Sequence, residues 1–226
     1  MNQRASGVVV QTVLWMGVFL GMVGTTAREI DAQVRQNART DESELIFSDE
    51  FENQLASAWT WLRPEPSRWC VRNHGLEIRV WPGFADTVEN ALLWAVTKRG
   101  EDCWIFEVTV NNLNHPVQQW EQAGLTWYTD QKPVFKLVKE LVDGRIVIMP
   151  GNVEIGNVPV QLRLEVEGQE FKAFYRTDFS GPFHLAGQGS TPQGTNEQIS
   201  IQCYHGPDSA EHWIRFTDFR VLRKPK

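Results

Sequence analysis

The sequence predicts an all-β fold: two antiparallel sheets packed as a jelly roll. Three observations lead there. About a dozen short runs alternate apolar and polar residues, and alternation of that period is the signature of half-buried strands. Turn signals rich in Gly, Pro, Asn and Asp separate the runs at regular intervals. No 3.6-residue periodicity competes with them after the first 27 residues.

In chain order, residues 1–27 read as a secretory signal peptide: one positive charge at Arg4, an apolar stretch over 8–24, then Thr25-Thr26-Ala27. The apolar stretch is short of the roughly 20 residues of a spanning helix. Secretion or periplasmic export is expected, with no membrane insertion after cleavage; retention as an N-terminal anchor is the alternative. Residues 28–44 are polar and read as a linker. The domain spans 45–222 and a basic tail follows at 223–226.

The domain opens at 45–51, followed by Trp59 and Trp61. Strands are expected at 69–72 and 76–80 around Asn73-His74-Gly75, then at 91–96 and 103–110 as a pair. A meander follows at 121–148. Its first strand is 122–128, a turn at 129–133 is broken by Pro133, and the second strand is 134–142. Asp143-Gly144, a strong signal for a type I′ hairpin, leads to the third strand at 145–149. A hairpin over 158–175, a short strand at 183–186, a polar loop at 187–196 and strands at 199–204 and 214–222 close the chain.

Alternation sorts the meander into two faces. Ala123, Leu125 and Trp127 share one with Phe135 and Leu137 and suit a core. Gln122, Gly124, Thr126 and Tyr128 share the other, toward which Lys136 and Glu140 also point. The ten tryptophans suit a large core or a sugar-stacking surface. A net charge of −6 with no clustered Lys and Arg excludes sequence-independent nucleic-acid binding. Cys70, Cys103 and Cys203 lack CxxC spacing, so they are either buried small hydrophobes or, in an exported chain, one disulfide and one thiol. The five histidines show no ligand spacing for a metal.

Several segments resemble one family. Phe47-Ser48-Asp49-Glu50-Phe51 with Trp59-Thr60-Trp61-Leu62-Arg63-Pro64-Glu65 resembles its opening, and Asn90-Ala91-Leu92-Leu93 one of its strands. Gln122-Ala123-Gly124-Leu125 with Tyr128 and Phe135-Lys136-Leu137 resembles its central meander. Phe216-Thr217-Asp218-Phe219-Arg220-Val221 resembles its closing strand. The family is the concanavalin A-like, lectin/glucanase-type β-sandwich that follows the catalytic propeller in bacterial β-xylosidases, together with related exported domains of unknown function. The resemblance covers about 45–222 and implies two curved sheets whose concave face holds carbohydrate.

A sugar site needs flat aromatic faces for pyranose C–H groups and planar polar groups for hydroxyls. Gln122, Tyr128, Lys136 and Glu140 supply these on the outer face, and Trp61, Arg63, Trp94 and His74 are candidates to join them. A solvated Lys136–Glu140 pair is the competing reading. Hydrolysis needs two carboxyls flanking the scissile bond. Glu140 is the weak catalytic candidate, with Asp86 and Glu89 as loop acids able to approach. A structural Ca²⁺ between Asp49 and Asp218 is a further candidate, because first and last strands of such sandwiches pair.

The expected function is therefore a non-catalytic oligosaccharide- or polysaccharide-binding sandwich, with a glycoside hydrolase as possible partner. A glycoside hydrolase in its own right and a structural protein-interaction domain are the alternatives.

Overall fold

A computed structural model describes residues 43–97, 100–191 and 194–226. The span read as signal peptide, 1–27, and all but the last two residues of the span read as linker, 28–44, lie outside the described residues. Among the described residues fifteen strands form in chain order: β1 Glu44–Asp49, β2 Trp59–Leu62, β3 Trp69–Val71, β4 Leu76–Arg79, β5 Ala91–Val96, β6 Cys103–Asn112, β7 Gln122–Thr129, β8 Lys132–Val142, β9 Arg145–Met149, β10 Val153–Glu154, β11 Val160–Glu167, β12 Glu170–Arg176, β13 His184–Ser190, β14 Glu197–Tyr204 and β15 Trp213–Lys224. β1 begins inside the span read as linker, and β15 runs into the span read as tail.

The strands make the expected two-sheet antiparallel sandwich. One sheet runs β13-β12-β11-β6-β15-β4-β3, with β1 also on β15; the other runs β10-β9-β8-β7-β14-β5-β2. The meander behaves as its alternation requires. Ala123, Leu125, Trp127 and Leu137 enter the core between the sheets, where Trp127 meets Phe106 of the other sheet edge to face at 5.6 Å. At one end of the core, Phe47, Trp59, Trp94 and Phe219 pack ring on ring, with centroids 4.6–5.9 Å apart along the chain of contacts.

Three expectations change. Asp130 and Gln131, both at positive φ, make the β7–β8 turn alone, and Pro133 lies within β8 opposite Tyr128. A register shift beside Tyr128 explains the tolerance: proline lacks a ladder donor and is accommodated at irregularities. β5 and β6 do not pair; β5 joins β14 and β2, whereas β6 joins β11 and β15. The connection between them crosses from one sheet to the other. β13 continues to Ser190, into the stretch read as loop. All three cysteines are free, and Cys203 lies in the core, where burial pushes its thiol pKa well up.

Candidate functional site

The outer face of the β10–β2 sheet is where the polar side chains of the meander come together. Register places Gln122 beside Glu140 on β8 and Tyr204 on β14, and Thr126 beside Lys136 and Ser200. Lys136 Nζ donates to Gln122 Oε1 at 2.7 Å and to Glu140 Oε2 at 2.9 Å, while Gln122 Nε2 lies 3.3 Å from Glu140 Oε1. Lys136 and Glu140 are thus four apart on one strand, and Gln122 ties both to β7. Each Glu140 oxygen takes one donor here and keeps a lone pair for a further one.

Two chain segments raise walls around this cluster. Residues 81–90 fold back over the sheet. They are held by Arg63 Nε donating to the Val88 carbonyl at 2.6 Å, by His205 N on Gly83 O at 3.1 Å, and by Gly206 N on Trp81 O at 2.9 Å. Val88 of this segment joins Ala91 and Tyr204 of the sheet in a small apolar cluster. The segment before β7 is held by Glu121, whose buried carboxylate accepts from Val117 N and Gln118 N and lies 2.7 Å from His212 Nδ1.

Between the walls is an open cleft of about 510 Å³ lined by Phe84, Ala85, Asp86, Trp120, Gln122, Pro133, Lys136, Glu140, Tyr204 and His205. Three rings form its rim. Phe84 and Trp120 are 63% and 52% exposed, large for aromatic side chains, and each meets His205 edge to face, at 4.8 and 6.0 Å. Trp120 and His205 both hold left-handed backbone, at φ 68° and 61°. That conformation costs a non-glycine residue about 1–3 kcal/mol and gathers at ligand sites. Here it turns two rings outward at the ends of β7 and β14.

Burial, then the Lys136 charge, lowers the His205 pKa against the opposing pull of Glu140, so its imidazole is neutral at neutral pH. A larger hollow of about 680 Å³ lies at the turn end of the same sheet. It contains no aromatic ring, and its Asp130 is already bonded to Thr195 and Asn196, so the aromatic cleft is the stronger candidate.

Of the residues expected at the site, Gln122, Lys136 and Glu140 line the cleft. Tyr128 shares their face but is fully buried. Its hydroxyl donates to Gln202 Oε1 at 2.9 Å and reaches the Ala85 carbonyl at 3.2 Å, so it supports the covering segment and has no ring face for a sugar. Burial raises its pKa to about 12. Trp94 lies on the opposite side of the sheet, in the core against Phe47. Trp61 also packs toward the core, 4.7 Å from Trp69. Arg63 acts through its tie to Val88. His74 is exposed in the β3–β4 turn of the other sheet. Asp86 reaches the cleft, while Glu89 is paired to Arg68 at 2.7 Å. Phe84, Trp120 and His205 are cleft residues outside the strands, which alternation misses; Tyr204, on the outer face of β14 beside Gln122, follows from alternation but was not among the expected residues.

Asp49 and Asp218 lie near each other through Asp49 pairing with Phe219. Asp49 caps the following turn: its carboxylate accepts from Phe51 N, Ala56 N and Trp59 Nε1 at 2.8–2.9 Å. Asp218 accepts from Thr217 Oγ1 at 2.8 Å. Among the described residues no group of three or more His, Cys, Asp or Glu side chains is arranged to hold a metal ion.

No protein-family model matches the chain, and no curated protein does. Solved structures do. The GH43 protein BlXynB of Bacillus licheniformis superposes with a TM-score of 0.64 at 16% identity, over 77% of this chain and 39% of that one. The xylan β-1,4-xylosidase of Bacillus halodurans C-125 gives 0.59 at 17%, over 77% and 38%. The CBM2 module of the evolved Dit of Lactobacillus casei BL23 phage J-1 gives 0.54 at 10%, over 82% and 98%. The chain thus spans about two fifths of the length of these two hydrolases. At such identities the likeness establishes the fold, a β-sandwich also built into carbohydrate-active proteins.

Proposed function

We propose that the chain binds an oligosaccharide in the cleft of the outer face and does not cleave it. One observation carries this reading: two highly exposed rings, Trp120 and Phe84, flank a bonded Gln122–Lys136–Glu140 cluster with unfilled acceptor capacity. Aromatic faces take the apolar side of a pyranose, and the amide, ammonium and carboxylate fix its hydroxyls. The fold shared with glycoside hydrolases and a CBM2 module supports the same class of ligand. Export through the 1–27 leader belongs to the proposal, and cell fractionation tests it.

The test is calorimetric titration of the 43–226 domain with xylo-, cello- and laminari-oligosaccharides. Binding is expected for at least one series, weakened about ten-fold or more in Trp120→Ala. No binding in any series, or full affinity in that variant, rejects the reading.

A glycoside hydrolase is the second reading, favoured by one feature: Asp86 shares the cleft with Glu140, supplying a second carboxyl. It requires turnover of an aryl glycoside that is lost in both Asp86→Asn and Glu140→Gln.

A further inference from the structure

Two polar groups on the floor of this face have no partner among the described residues. Gln202 is fully buried on β14. Its Oε1 accepts from Tyr128 Oη at 2.9 Å and from Ser200 Oγ at 3.0 Å, which fixes the amide, yet its Nε2 donates to nothing among the described residues. Thr126, 2% exposed on β7, likewise has a buried Oγ1 with no partner. Buried donors without partners are rare in folded proteins, because leaving one unpaired is unfavourable.

The two are neighbours. Ser200 pairs with Thr126, and Gln202 pairs with Gly124, so Gln202 and Thr126 sit diagonally on one face. Gly124 lies between them and puts no side chain on this face. A side chain at this position is excluded, because a Cβ would run into the Leu137 carbonyl oxygen and Leu162 Cδ1. The Lys136 side chain runs along β8 past Val138, which pairs with Gly124, to reach Glu140. It therefore spans the same stretch of the face, from the position beside Thr126 to that beside Gln122. Its two contacts are of a kind that ligand hydroxyls can replace, and its side chain is 34% exposed.

We propose that Thr126 Oγ and Gln202 Nε2 form an inner polar subsite over Gly124, which takes a hydroxyl or ring oxygen of the bound oligosaccharide once Lys136 exchanges Gln122 and Glu140 for that ligand. The proposal rests on the carbohydrate-binding reading. It explains why two donors lie idle together beneath the cleft, whereas Tyr128, Ser200 and the rest of Gln202 are bonded.

Thr126→Val tests it, since it removes the idle hydroxyl with little change of shape. The probe is whichever of xylotetraose, cellotetraose and laminaritetraose the wild-type domain binds most tightly. The melting temperature of the free variant is expected to equal or exceed that of wild type, because no hydrogen bond is lost. Affinity is expected to fall about five-fold, the worth of one hydrogen bond, and Thr126→Ser to restore most of that loss. Unchanged affinity in Thr126→Val overturns the subsite. A lower melting temperature with unchanged affinity also overturns it, showing that the hydroxyl serves the fold. If none of the three sugars binds wild type, the carbohydrate reading itself has failed and the subsite falls with it.

Discussion

Lys136 and Glu140 are joined at 2.9 Å along one strand but differ sharply in exposure: 34% of the lysine side chain is accessible and 5% of the glutamate. The pair is therefore asymmetric. Without Glu140, the ammonium can turn to water. Without Lys136, a buried carboxylate keeps only the Gln122 amide, at 3.3 Å. Breaking a buried pair by removing one partner is destabilising because it strands the other charge. Lys136→Met is expected to lower unfolding free energy by about 2 kcal/mol more than Glu140→Gln. Urea denaturation of both variants at pH 7 measures the difference; equal losses would mean that Glu140 is hydrated after all.

The Tyr128 hydroxyl links β7 to Gln202 on β14 and to the segment over the sheet through Ala85. Tyr128→Phe is expected to cost about 1–2 kcal/mol at pH 7. Burial raises the phenol pKa from 10 to about 12. Above pH 10 the unfolded chain loses this proton while the folded chain keeps it, so wild-type stability falls as pH rises from 10 toward 12. The variant has no phenol to ionise. The gap between wild type and Tyr128→Phe should therefore narrow from pH 9.5 to 11 in denaturant titrations, and a constant gap rules the mechanism out.

These residues also show what the sequence could reveal. The faces of β7 were legible because alternation alone decides them, and Ala123, Leu125 and Trp127 enter the core as expected. Asp143-Gly144 was legible because its turn needs two positive φ values, observed at 50° and 75°. Tyr128 was misjudged for a physical reason. Alternation says which side a residue faces, not what lies over that side, and residues 81–90 arrive from some forty positions away. Trp94 and Trp61 were misjudged because an aromatic residue suits a core as well as a sugar. Trp120 and His205 owe their outward rings to left-handed backbone just outside the strands, which leaves no periodic trace. The β5–β6 connection shows the same limit: a charged turn reads alike whether it joins paired strands or crosses between sheets.

Asp49 occupies the position considered for calcium, but its carboxylate already accepts two backbone N–H groups and the Trp59 indole. A cation would have to displace those donors. The expected result is that excess EDTA and millimolar CaCl₂ give the same melting temperature. Asp49→Ala, by contrast, leaves the Phe51 and Ala56 amides and the indole unpaired and should cost about 2–4 kcal/mol. A calcium-dependent rise in melting temperature that disappears in Asp49→Ala would reinstate the metal.

Among the described residues, Lys139 is the one lysine buried almost completely, at 2% exposure, on the core side of β8. Its Nζ donates to the Val158 carbonyl at 2.8 Å and to Asn157 Oδ1 at 3.1 Å, and no carboxylate pairs with it among the described residues. Burial lowers its pKa from 10.5 to about 8. Below pH 8 both folded and unfolded chains carry the proton, and the fold bears the cost of a buried charge. Between about 8 and 10.5 the unfolded chain still binds the proton and the folded chain does not, so this group makes stability rise with pH across that window. The span corresponds to at most about 3 kcal/mol. Lys139→Met removes the charge and keeps the apolar stem. It is expected to be more stable than wild type at pH 7, with the advantage shrinking as pH approaches 10. The informative quantity is the difference between the two proteins at each pH, measured by guanidinium unfolding. A difference that stays flat from pH 7 to 10 would show that the two carbonyl contacts already compensate the buried ammonium.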